Sequence, residues 1–81
     1  MGRETIRSIA FRPDGKMLAT CTHYDITLWD ATSLKKLLVI EDAHAHSITF
    51  SADGAKLVSG GDGIKVWAIK EIDPRVWRLS T

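Results

Sequence analysis

The chain has 81 residues, 44% of them hydrophobic and 26% charged, which leaves room for one small folded unit and excludes a disordered composition. Eleven basic residues stand against ten acidic ones, a net charge of +1, so no basic field marks a nucleic-acid or anionic-membrane partner. The single cysteine, Cys21, excludes an internal disulfide and a zinc site built on paired cysteines, and no apolar run approaches the roughly 18 residues of a membrane span.

Met1-Gly2-Arg3-Glu4 leads into no long apolar stretch, so no secretory leader is expected and the chain reads as cytoplasmic, its thiol reduced. A core of this size supplies about 3–5 kcal/mol, which points to a partner chain. The first strand is expected around Ile9 and Phe11, two residues apart and therefore on one face. Arg12-Pro13-Asp14-Gly15 then reads as a turn: proline suits its second position, and Gly15 can take the left-handed conformation that closes a hairpin. Met17-Leu18-Ala19 follows as an apolar run suited to a strand covered on both faces. Cys21 ends that strand as a buried, inert thiol. Ile26 to Trp29 is the third strand and Leu37-Leu38-Val39-Ile40 the fourth.

The pattern then repeats. Ser47-Ile48-Thr49-Phe50-Ser51-Ala52-Asp53-Gly54 answers Ser8 to Gly15 at an offset of 39, and Ile64 to Trp67 answers Ile26 to Trp29 at an offset of 38. A period near 40 is that of four-stranded propeller blades, whereas periods of 33 or 34 mark helical repeats. Asp14 and Asp53 recur in phase and belong to turn geometry rather than to a catalytic carboxylate pair. Trp29 and Trp67 recur in phase as core markers. Near the end, Arg75-Val76-Trp77-Arg78-Leu79 falls where the repeat phase predicts a last strand, with Trp77 and Leu79 on one face. Asp73-Pro74 is the competing signal, a helix start.

These residues resemble the WD-repeat family over about residues 6 to 68. Phe11-Arg12-Pro13-Asp14-Gly15 is similar to the family's F-S-P-D-G hairpin, and Ile26-Thr27-Leu28-Trp29-Asp30 to its strand ending in Trp-Asp. Phe50 to Gly54 and Ile64 to Trp67 keep the pattern, with Ala68 in place of the aspartate. The resemblance implies an all-β chain of two four-stranded antiparallel blades, divided at 1–43 and 44–81, incomplete as a single propeller. The family ties a blade together with a Gly-His dipeptide, a turn aspartate, a Ser or Thr and the Trp. Here His23 stands near the aspartate position, Asp62 lies in a shortened Gly60-Gly61-Asp62-Gly63 turn, and Ala43-His44 stands in for Gly-His. An incomplete network is therefore expected in both blades.

No catalytic motif is present: no Gly-x-Ser-x-Gly, P-loop, dinucleotide fingerprint or His-Glu-x-x-His. Lys35-Lys36 and Arg75 to Arg78 read as solvated edges. His44 and His46, two apart, would share a strand face and approach His23, yet no cysteine or acidic cluster completes a metal shell, so no metal or other cofactor is expected. The resemblance implies a protein-interaction scaffold rather than an enzyme, with partners met by loops at one end of the blades. The loop residues carried over are His23, Tyr24, Asp42, His44, His46 and Asp62, with Tyr24 the best single anchor. The alternatives are a small-ligand or glycan binder and, further off, a propeller enzyme. Two blades do not close a ring of 4–8. The chain is expected to self-associate, three copies giving six blades and four giving eight, or to find its remaining blades in a longer chain or a partner. The start at the first strand and the departing tail from Asp73 to Thr81 fit a terminal portion of a longer array.

Overall fold

A computed structural model describes the backbone of residues 5–73 and 76–80, and side chains as far as residue 69. Eight strands follow one another: β1 Ser8–Phe11, β2 Met17–Cys21, β3 Ile26–Asp30, β4 Lys36–Ile40, β5 Ala45–Phe50, β6 Lys56–Gly61, β7 Gly63–Asp73 and β8 Val76–Ser80. They pair antiparallel in sequence order into two four-stranded sheets, β1 to β4 and β5 to β8. The repeat phase at the chain end wins over the helix signal, since Val76–Ser80 pairs with β7. The expected common face of Trp77 and Leu79 concerns side chains outside the described residues.

The two leading hairpins are closed by the same chemistry. The Gly15 N–H donates to the Arg12 carbonyl at 2.8 Å, and Gly54 N–H to the Ser51 carbonyl at 2.9 Å. Gly15 and Gly54 both sit in the left-handed region, at φ 74° and 75°, where a Cβ would crowd the following carbonyl. The aspartate before each glycine locks the turn. One Asp14 oxygen accepts from Arg12 Nε at 3.0 Å and from the Lys16 N–H at 2.9 Å; the other pairs with Arg12 Nη2 at 2.8 Å. Asp53 accepts from Ser51 Oγ at 2.6 Å and from the Ala55 N–H at 3.0 Å. The Arg12 guanidinium, then the Lys16 amide, hold Asp14 below the ordinary aspartate range. Ser51, then the Ala55 amide, do the same for Asp53.

Strand alternation gives each sheet two faces, and the register names them. On the first sheet Ala10, Ala19, Leu28 and Leu38 stand in one row, flanked by Cys21, Ile26 and Ile40. This face packs on the second sheet's row of Ile48, Phe50 and Leu57, joined by Ile69, to make one hydrophobic core. Ser8 Oγ accepts from the Ile48 N–H across the junction at 3.3 Å. The sheets approach most closely along β1 and β5 and more loosely at β4 and β8, so they splay like wedges from a shared inner edge.

Equivalent residues of the two repeats therefore meet opposite environments. Phe50 is buried at 9% exposure, while its counterpart Phe11 is 63% exposed. Ile48 is buried and Ile9 exposed in the same way. On the other faces the order reverses: Ile26 is fully buried, while its counterpart Ile64 is 82% exposed. Ile9 and Phe11 both lie exposed on β1, while Ile48 and Phe50 at the same repeat positions lie against the other sheet. Trp29 and Trp67 are half-buried rather than deep core. Cys21 is fully buried, and that burial pushes its thiol pKa up, against smaller opposing effects of the Ser8 amide and Arg7.

Candidate functional site

At one end of the sheets the β2–β3 turn, the β4–β5 linker and the β6–β7 turn converge. The β2–β3 turn is built by Thr22 and Asp25. Thr22 Oγ1 donates to Asp25 Oδ1 at 2.9 Å and accepts from the N–H groups of Tyr24 and Asp25 at 3.2 and 3.3 Å. That bend pushes His23 and Tyr24 into solvent. The linker passes beside it. The Ala43 N–H donates to the Tyr24 carbonyl at 2.9 Å, and Lys65 Nζ to the Ala43 carbonyl at 3.4 Å. Asp42 and His44 flank the buried Ala43 in left-handed conformations, φ 57° and 49°.

Four of the six loop residues expected to meet a partner line one hollow of about 210 Å³: His23, His44, His46 and Asp62, with Gly61 between them. Tyr24 adjoins it, edge-on to His23 at 5.0 Å between ring centroids and to His44 at 6.5 Å. Asp42 is exposed on the linker and does not line the hollow. His44 lies just before β5, which begins at Ala45 and shifts register between Ala45 and Ser47, and both His44 and His46 are exposed and line the hollow. Arg7 Nη1 lies 2.9 Å from His46 Nδ1. A guanidinium only donates, so Nδ1 accepts and the ring proton of neutral His46 sits on Nε2. Gly61 holds the hollow closed at its floor, for a Cβ there would stand 2.6 Å from the His44 carbonyl oxygen and 3.0 Å from the His46 nitrogen. Among the described residues, no group of three or more His, Cys, Asp or Glu is placed to hold a metal ion.

The indole arm of the blade network is present in both copies. Trp29 Nε1 donates to Thr20 Oγ1 at 3.0 Å and Trp67 Nε1 to Ser59 Oγ at 3.4 Å. Asp25, not His23, is hydrogen-bonded within the β2–β3 turn of the first blade, through Thr22. Among the described residues, no hydrogen bond joins the Thr22–Asp25 pair to the Thr20–Trp29 pair. Asp30, which follows Trp29, accepts from the Thr32 and Ser33 N–H groups at 2.8 and 3.1 Å. Those amides, Ser33 first, lower its pKa.

Two contributors escaped the reading of loops alone. Asp25 was signalled by the Thr-x-x-Asp spacing ahead of a β-branched strand, a turn signature. Arg7 was signalled by its distance in sequence: it lies 39 residues from His46, one repeat apart, which sets it just before β1, beside His46 of β5.

The family model "WD domain, G-beta repeat" matches residues 2–30 and 35–67, more than half of the chain, so the chain belongs to the WD-repeat family. Repeats of this family generally mediate protein interactions, and their propellers are typically non-catalytic. Among solved structures it is similar to "Crystal structure of RRP9 WD40 repeats", with a TM-score of 0.75 and 26% identity over 84% of this chain. The chain spans only 24% of the length of that structure. No curated protein matches the chain.

Proposed function

We propose that the chain is a non-catalytic protein-interaction scaffold that meets its partner with the loop cluster of His23, Tyr24, Asp42, His44, His46 and Asp62, while its open sheet faces are covered by further blades. The carrying observation is the convergence of exposed Tyr24, His23 and His44, on a turn and linker pinned by main-chain and side-chain hydrogen bonds, with exposed His46 at the start of β5. Rigid turns lose little entropy on binding, and tyrosine offers apolar area with a hydroxyl. The hollow itself is below the roughly 300–1,000 Å³ of small-molecule sites, which favours a protein partner over a small ligand or glycan. A cytoplasmic setting is part of the proposal, supported by a lone buried thiol.

Capture from an extract of the native cells, with cross-linking and mass spectrometry, tests it. Tyr24→Ala is expected to lose at least tenfold of the captured partner, with the circular dichroism spectrum unchanged. Equal capture by wild type and Tyr24→Ala would sink the loop-end assignment.

A further inference from the structure

We infer that Arg7 and His46 form a proton-sensitive tie between the two sheets, closed while the His46 ring is neutral and opened when the ring takes up a proton. The device is built into the partner-free chain and does not depend on what the loop cluster binds.

The two residues hold the same repeat position, 39 apart, at the loop end of the junction between β1 and β5. Their main chains are fixed. The Arg7 N–H donates to the Cys21 carbonyl at 2.8 Å. His46 belongs to β5, and the end of β6 runs so close that a Cβ on Gly61 would stand 3.0 Å from the His46 main-chain nitrogen. Further along the junction the Ile48 N–H donates to Ser8 Oγ at 3.3 Å. The Arg7 and His46 side chains complete this row, with Nη1 2.9 Å from Nδ1. Both side chains are exposed, so solvent protons reach the pair directly.

A guanidinium only donates hydrogen bonds and is always charged. Nδ1 can accept from it only while its lone pair is free. A protonated imidazole donates at both nitrogens, so one proton at Nδ1 turns a donor–acceptor contact into two donors and two positive charges face to face. Histidine is the side chain whose ordinary charge change falls between about pH 5 and 8. The groups around the pair come from every neighbouring element. Asp62, on the β6–β7 turn, lines the same hollow as His46 and favours a proton there. His44 on the linker and His23 on the β2–β3 turn line it too, and each adds positive charge when protonated. Tyr24 stands edge-on to those two rings. Beside Arg7, burial keeps the Cys21 thiol of β2 neutral. Among the described residues, no carboxylate lies within ion-pair distance of Arg7 or His46, so none holds the guanidinium in place once its bond to Nδ1 is lost. Opening releases Arg7 to water and leaves a hollow with histidine cations and Asp62 as the carboxylate in its lining.

Nuclear magnetic resonance of the isotope-labelled full chain, titrated from about pH 8 to about pH 5, reads the tie directly. At the alkaline end the His46 ring is expected to carry its proton on Nε2. As pH falls, the Arg7 side-chain N–H signals are expected to shift in one step that coincides with the step of the His46 ring carbons, and to exchange faster with water beyond it. His46→Asn sets an oxygen in place of Nδ1 that accepts from Arg7 at every pH, so in that variant the Arg7 signals are expected to stand still. His23→Asn with His44→Asn leaves the tie intact, and the step must remain. Dispersed amide spectra confirm that each variant is folded. Arg7 signals that stay constant in wild type, or that move equally in His46→Asn, would overturn the inference. So would a step lost with His23 and His44, or a neutral His46 with its proton on Nδ1. No partner enters these readouts, so capture through Tyr24 decides the scaffold reading separately.

Discussion

Gly15 and Gly54 occupy the same turn position with the same left-handed backbone, yet their surroundings differ. A Cβ on Gly15 would meet nothing within 4 Å, whereas one on Gly54 would stand 3.0 Å from Arg12 Cγ and 3.2 Å from Cδ. Gly15→Ala should therefore cost only the backbone penalty, about 1–2 kcal/mol, and Gly54→Ala should cost more, because the Arg12 stem must shift. Urea unfolding of both variants at one protein concentration checks the order. Equal losses would show that the Arg12 stem yields freely. Both glycines were legible from the sequence, since a glycine after Pro-Asp or Ala-Asp between two strands has one good use. The Arg12–Gly54 proximity was not, because it depends on how one blade leans on the next.

Among the elements, all eight strands except the last followed from turn chemistry and apolar spacing. The last needed the repeat phase to decide between strand and helix. What the spacing could not convey is which face of each strand is covered. Period-two alternation groups Ile9 with Phe11 and Ile48 with Phe50, but identical patterns carry no mark of what lies opposite, and the two pairs end with opposite exposure. The hairpins also set an expectation for acid. Asp14, Asp30 and Asp53 close three turns, and amide and side-chain donors hold each below the ordinary value of 3.8. A folded value below the unfolded one means that the stability contributed is complete above the unfolded value and is lost as pH falls through the folded one. Melting temperature should accordingly hold steady near neutrality and fall as pH drops below 3.8. Asp53→Asn should flatten part of that fall while lowering stability at neutral pH. An Asn variant with the full acid slope would remove this turn from the account.

For the whole molecule, the core lies between the two sheets, and the outer faces of both remain open. Apolar patches of this kind are rare on proteins that act alone. If copies cover them, folding and association are linked by mass action. Raising chain concentration a hundredfold should then raise the melting temperature by roughly 10–20 °C, since it adds about 2–3 kcal/mol of stability and a domain this small shifts by roughly 4–8 °C per kcal/mol. Scanning calorimetry across that range is the check, and a melting temperature independent of concentration would contradict it. The loop cluster was legible only in part. His23, His44, His46 and Asp62 were named from the loops, but their meeting in one hollow depends on the bulge after Ala45 and on the close approach of Gly61 to the linker.

The linker between the sheets has one more consequence. Its junction is tied by main-chain atoms, the Ala43 N–H on the Tyr24 carbonyl, around a residue too small to act as a lever. The lean of one sheet on the other is thus held at two levels, by a main-chain tie at the linker and by the side-chain core between the sheets. Substitutions on the exposed outer faces touch neither, so those faces can drift while the junction keeps its form.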